Sequence, residues 1–342
     1  MIQDSRPASR LALAWAVLLP LVLTGACKEA PKAQPGSAAP KPQVDRIKKA
    51  VSGGALAPRL TDPIPAEITR FAPASAFKGP RSVGVDKQGN VYVVDTGNFR
   101  VVKLDAAGKE LSSFGKQGTG PGEFSQPWKA VLSGDGNIAV LDRESNWIHL
   151  FTPDGRFVKS MAGPPMQLYF PGGLAVAPDG TMALVDTGLD RVLLLSPDGQ
   201  RQGEPVKTIA GEPLKQPTDA AFDASGGLHV YQPPGEQSAA LLLHRAAGGG
   251  RESKWVGVDA ASTLDSARLA VGSDGRIYMT DPVQKRVVVY AADGKTVNPI
   301  KMEAAEPAPL TRLSGIALDS RGLVYVTDAD ANAVYRLRLR TP

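Results

Sequence analysis

The sequence predicts an all-β fold, a six-bladed β-propeller closed by an N-terminal strand that pairs with the last blade. Three observations predict it: a repeat, the strand pattern inside the repeat, and the way the two ends of the array complement each other. The phrase Gly89-Asn90-Val91-Tyr92-Val93-Val94-Asp95-Thr96-Gly97-Asn98-Phe99-Arg100-Val101-Val102-Lys103-Leu104 returns in weaker form from Gly136, Gly180, Gly226, Gly275 and Gly322. The steps are 47, 44, 46, 49 and 47 residues. A period of this size marks one supersecondary unit copied in an array.

The unit reads as four short strands. Val83 to Asp86, Asn90 to Val94, Arg100 to Leu104 and Leu111 to Phe114 are β-branched or apolar runs. Turn residues separate them: Lys87-Gln88-Gly89, Asp95-Thr96-Gly97-Asn98 and Ala106-Ala107-Gly108. Four strands in about 45 residues is the pattern of a propeller blade. Glycines of the first and third turns stand 19 residues apart in four copies and 22 apart in the fourth (Gly226 to Gly248), which assigns that copy an insertion around Pro233-Pro234-Gly235. Fourth strands read apolar-x-x-apolar before a small residue, as in Leu111 to Phe114, Val206 to Ile209 and Ser253 to Val256. The sixth copy offers three strands before Pro342, and the missing phrase stands ahead of the first copy as Ile68-Thr69-Arg70-Phe71-Ala72. Pairing the two removes an exposed sheet edge.

Two further segments precede the array. Residues 1–26 carry Arg6 and Arg10 and then a 14-residue apolar run, Leu11 to Thr24. That is short of the roughly 20 residues of a membrane-spanning helix and reads as a signal-peptide core. The run ends Leu23-Thr24-Gly25-Ala26-Cys27, and Cys27 is the only cysteine. These residues resemble the bacterial lipoprotein box. The resemblance implies cleavage before Cys27, lipid on Cys27 and, with Lys28 following, an outer-membrane address in the cell envelope. Residues 27–59, rich in Lys, Ala and Pro, read as a tether; Val44 to Val51 could make two helical turns. The propeller then occupies residues 60–342.

Val91-Tyr92-Val93-Val94-Asp95-Thr96-Gly97-Asn98-Phe99-Arg100, with Phe114-Gly115-Lys116-Gln117-Gly118-Thr119-Gly120-Pro121-Gly122-Glu123-Phe124-Ser125-Gln126-Pro127, resembles the NHL repeat. The third copy (Asp186-Thr187-Gly188-Leu189-Asp190-Arg191) and fifth copy (Asp281, Arg286) keep its marks. The second has Trp147 for the Arg, the fourth Gln232 for the Asp, and the sixth Ala333 for the Arg. The resemblance, over roughly residues 66–340, implies six blades. It does not imply one job, because such propellers serve as interaction modules, nucleic-acid binders and occasional metal-dependent enzymes.

The formal charge of +5 is scattered rather than patterned, and with an exported, anchored protein it gives no nucleic-acid expectation. The histidines are three, His149, His229 and His244. Repeat alignment sets them at the positions of Val102, Tyr92 and Leu104, strand positions between blades. No metal, cofactor or catalytic residue is therefore expected. Asp95, Asp142, Asp186, Asp281 and Asp328 open second turns, where carboxylates cap backbone N–H groups just ahead. Arg100, Arg191 and Arg286, five residues on, are expected to reach a carboxylate or carbonyl.

The expected working face is built from the loops before strand one and after strand two. They bring Arg81, Trp128, Lys129, Asp219 and Arg268, with Phe99 and Trp147, around one opening. Read as exposed loop residues, the bases should be replaceable without harm to folding. The function this implies is an envelope-anchored binding module, monomeric, for a protein or anionic ligand. The alternative is a metal-dependent propeller hydrolase or lyase of lactonase type.

Overall fold

The computed structural model describes residues 41–71, 77–236, 238–258, 266–303 and 310–340. They belong to one compact unit, Pro40–Pro342. The apolar run, Cys27 and the start of the tether lie outside the described residues.

The fold is all-β and propeller-like. Repeats one to four each form one four-stranded antiparallel sheet in which the strands follow chain order from one edge to the other. In repeat one these are Ser82–Val85, Val91–Asp95, Arg100–Leu104 and Glu110–Phe114. Each second strand is buried along its whole length, as in Val91–Asp95 and Val324–Asp328. Its neighbours on both faces are apolar, which is why these strands read as unbroken hydrophobic runs.

Repeats five and six share a nine-stranded sheet. Strand Ile64–Arg70 lies between them. It pairs antiparallel with Ala333–Leu339 (Ile68 opposite Leu337) and parallel with Thr296–Glu303 (Ile64 opposite Ile300). The segment ahead of repeat one thus lies beside the third strand of repeat six, and its other edge is covered too. Six apolar clusters each join two successive repeats; the one holding Phe71, Val83, Val93, Tyr325 and Val334 joins repeat six to repeat one. Ser314 Oγ donates to Pro80 O at 2.6 Å across the same junction.

Two expectations shift. The fourth strand of repeat three is Arg201–Val206, not Val206 to Ile209; Thr208–Ile209 instead pairs with Glu212–Pro213 in a small hairpin. Residues 41–59, read as the end of the tether, lie against the sheets. A helix spans Lys41–Ser52, Ala55 is buried in the cluster between repeats three and four, and Arg59–Leu60 pairs with Thr296 and Val297.

The second-turn acids reach backward along the chain as well as forward. Asp95 Oδ1 accepts Lys78 N at 2.7 Å, Asp142 Oδ2 accepts Ser125 N at 2.6 Å, Asp186 Oδ1 accepts Tyr169 N at 2.8 Å and Asp328 Oδ2 accepts Thr311 N at 2.6 Å. Every partner lies 17 residues back, in the connection that enters the repeat. Gln232 does the same for Lys215 N at 2.8 Å, so the repeat that lacks the acid keeps the bond. Arg100, Arg191 and Arg286 close on the other carboxylate oxygen at 2.9, 2.7 and 3.2 Å.

Removing residues 60–71 uncovers both edges held by Ile64–Arg70, so the shortened protein should aggregate by size-exclusion chromatography; a stable monomer would contradict the pairing. Asp328 accepts four hydrogen bonds, from Thr311 N and Oγ1, Arg312 N and Ala331 N. Burial pushes its carboxyl up, but the bonds from Thr311, Ala331 and Arg312 outweigh it and hold the pKa below its ordinary value. A depressed pKa stabilises the fold above the unfolded value near 4 and ceases to as pH falls through the folded value. Asp328→Ala should therefore cost about 3 kcal/mol at pH 7, with the gap to wild type narrowing in thermal melts below about pH 4.

Candidate functional site

The inner strands approach one another closely. A Cβ on Gly173 would stand 2.9 Å from Asp219 Cα, and one on Gly315 would stand 2.8 Å from Ser82 Cα. Side chains therefore fill the channel at the end where second turns and incoming connections meet.

Trp128, the second residue of strand Pro127–Leu132, is only 4% exposed and sits among arginines. The Arg143 guanidinium lies 4.2 Å from its ring centroid, Arg81 4.9 Å and Arg268 5.8 Å. Arg143 is itself 4% exposed, and its guanidinium also lies 3.5 Å from the Phe170 ring centroid. Its Nε and Nη1 are buried and have no hydrogen-bond partner among the described residues. Burial, then the charges of Arg268 and Arg81, pull its pKa down to about 9. Two aromatic faces attract a guanidinium, but they leave its N–H edge unsatisfied.

Lys129 takes a different role. Its Nζ donates to Asp219 Oδ1 and Oδ2, both at 2.9 Å, from repeat two to repeat four. Asp219 Oδ2 also accepts Leu269 N at 3.0 Å. Arg268 Nη1 donates to Thr218 O at 2.7 Å and Gly172 O at 3.3 Å. These contacts lock repeats two to five around the channel.

Five of the residues expected at the opening (Arg81, Trp128, Lys129, Asp219 and Arg268) thus come together. The bases are not the exposed loop residues expected: Lys129 and Arg268 are buried, together with Trp128 and Asp219. Replacing Lys129 and Arg268 would leave Asp219 without its counterion and carbonyls without donors, so these bases are not dispensable for folding. Phe99 and Trp147 go elsewhere. Phe99, left-handed at φ 55°, packs on the cluster between repeats one and two, and Trp147 packs on Gly163 of its own repeat.

Arg143 and Phe170 are site residues that repeat reasoning does not find. Arg143 is legible only as an exception: Thr96, Thr187 and Ala329 follow the second-turn acid in repeats one, three and six, whereas repeat two places Arg there. Phe170 carries no such signal. It has a left-handed φ of 59° and is 44% exposed beside Tyr169, 66% exposed. Phe170 lies against Arg143, Tyr169 O accepts Gly188 N, and Leu189, the next residue, is 42% exposed.

At the opposite end a cavity of about 610 Å³ opens among first-turn residues, including Asp86, Asp135 and Asp223. Asp86 and Asp135 are engaged in their own turns, through Asn90 N and Asn137 N. His149 behaves as an interior histidine, bonded to Ser160 Oγ at 2.9 Å and pulled down in pKa by burial. His229 and His244 do not stand apart as the repeat alignment implied. His244 pairs across the strands with His229, where Lys103 pairs with Tyr92, so it occupies the Lys103 position rather than that of Leu104. Relative to repeat one, repeat four carries four extra residues between Gln232 and Leu241 and one fewer between Arg245 and Gly248, which shifts strand three by one residue relative to a count back from that glycine.

Residues 77–104 match the model of the NHL repeat. The chain is 28% identical over 125 residues to Protein brain tumor of Drosophila melanogaster, a match that spans 36% of this chain and 12% of that protein's length. Among solved structures, a gluconolactonase from Xanthomonas campestris matches with a TM-score of 0.58 and 17% identity, over 84% of this chain and 98% of that one. An auxiliary nutrient binding protein from Bacteroides ovatus matches with a TM-score of 0.58 and 14% identity, over 81% and 78%. At such identities the likeness is one of fold: the chain is β-propeller-like and carries an NHL repeat at residues 77–104.

Proposed function

We propose that this is a six-bladed NHL-type binding module, held in the cell envelope by lipid on Cys27, that captures an anionic group of a ligand or partner protein at the arginine end of its channel. Six blades result if the nine-stranded sheet is counted as two, joined along Ile64–Arg70. The observation that carries the binding reading is Arg143, a buried guanidinium between Trp128 and Phe170 with two donors unmatched and two more arginines around the same indole. A buried cation without hydrogen-bond partners is costly. A carboxylate or phosphate reaching it past Phe170 would supply both charge and acceptors. The exposed side chains of Tyr169, Phe170 and Leu189 suit the apolar body that carries the anion.

Arg143→Met keeps the packing volume and removes the charge. Its unfolding free energy should stay within about 1 kcal/mol of wild type, because a buried, unmatched cation contributes little to stability. Calorimetric titration with an acidic, aromatic-containing peptide should show binding to wild type that weakens with salt and drops at least about 10-fold in the variant. A variant that melts far lower yet binds as wild type would make Arg143 a structural residue and defeat the reading.

Anchoring has its own test. Cys27→Ser should move the protein from the membrane pellet to the soluble fraction, because a 14-residue apolar run makes no stable span and acyl chains would be lost. Sedimentation unchanged after a high-salt wash would contradict it.

A further inference from the structure

Repeat four differs from its siblings at the end of the channel away from the arginines. In repeat one, Tyr92 donates to Asp86 Oδ2 at 3.3 Å, and Lys103, its cross-strand partner, lies over the ring. Repeats five and six also place tyrosine there, Tyr278 and Tyr325. Repeat four places His229, and opposite it His244. The two imidazoles stack with centroids 4.4 Å apart, and Trp255 extends the stack 5.9 Å from His244. Both Nε2 atoms face one carboxylate oxygen: Asp223 Oδ2 is 3.3 Å from His229 and 3.6 Å from His244. One ligand atom from each of the three residues falls within a 4.8 Å span.

A hydrogen bond accounts for His229, as it does for Tyr92, but not for His244. At 3.6 Å that contact is beyond hydrogen-bond range, yet the ring is aimed at the same oxygen. The spacing suits a shared ion instead. Two ligands each about 2.1 Å from a tetrahedral ion stand about 3.4 Å apart.

The supporting contacts agree. Asp223 Oδ1 is fully used, accepting Ser225 N at 2.9 Å, Ser225 Oγ at 2.6 Å and Gly227 N at 2.8 Å. Those bonds fix the carboxylate and turn Oδ2 toward the imidazoles. His244 Nδ1 stands 3.4 Å from Ser253 Oγ, an outer partner that orients the ring. The Asp223 and His244 side chains are each 19% exposed, and Asp223 lines the cavity, so an ion can enter from solvent.

We infer that Asp223, His229 and His244 form a binding site for one divalent transition-metal ion of the zinc class. Two imidazoles and one carboxylate are borderline ligands that suit Zn²⁺ or Co²⁺ rather than Ca²⁺ or Mg²⁺. Three protein ligands leave a coordination position for solvent on the cavity side.

The test uses tag-free, chelator-stripped protein titrated with ZnCl2 by calorimetry and with CoCl2 by visible absorption. One ion per chain is expected, with a Co²⁺ ligand-field band and a rise in melting temperature on adding zinc. His244→Gln and Asp223→Asn should each lower affinity at least about 10-fold and weaken the Co²⁺ band. His244 is partly exposed, and its replacement leaves the Asp223–His229 contact in place, so folding should survive. Absence of stoichiometric binding by wild type would overturn the site, as would binding unchanged in both variants.

Discussion

A side-chain oxygen at the end of the second strand in five repeats, bonded to a backbone N–H 17 residues earlier, is the contact on which this structure depends. The connections that enter these five repeats run over part-buried ground, where a backbone N–H left without a partner costs up to about 1–3 kcal/mol. The oxygen removes that cost and fixes where the connection lies. Everything at the arginine end hangs from these points. Arg81 stands three residues after Lys78, Trp128 three after Ser125, Phe170 one after Tyr169 and Asp219 four after Lys215. Arg81 and Trp128 meet because each is carried on a connection tied to a buried side chain.

Local polarity arises from the same geometry. Glycine at 173 and 315 lets inner strands close in until side chains meet across the channel. Lys129 and Asp219 then satisfy each other from repeats two and four, and Arg268 satisfies carbonyls of repeats three and four. Arg143 is left with stacking partners but, among the described residues, no acceptor for Nε or Nη1. Packing thus decides which of several similar bases remains available for chemistry. The cavity lies at the other end, where first-turn residues of repeats one to five line it.

The repeat, its strands and the role of Ile68 to Phe71 are legible in the sequence because period and alternation are carried by side chains. The 17-residue bond is not, because its donor is a backbone N–H that any residue supplies: Lys78, Ser125, Tyr169, Lys215 and Thr311 have nothing else in common. Spacing places Arg81, Trp128, Lys129, Asp219 and Arg268 around one opening, yet cannot give the radius of that opening, so burial and the Lys129–Asp219 pair stay hidden. His229 and His244 are misplaced for a simpler reason. A one-residue error in strand three moves a side chain to the opposite face, and the glycines used to count that strand flank the insertion.

The anchors make a direct demand on dynamics. Amide hydrogen exchange at Lys78, Ser125, Tyr169, Lys215 and Thr311 reports the five bonds one by one. If these bonds hold the connections in place, those N–H groups should exchange as slowly as the buried second strands, close to the rate set by global unfolding. Fast exchange at these five positions, with the second strands still protected, would mean that the connections open freely and that no anchored arginine site exists.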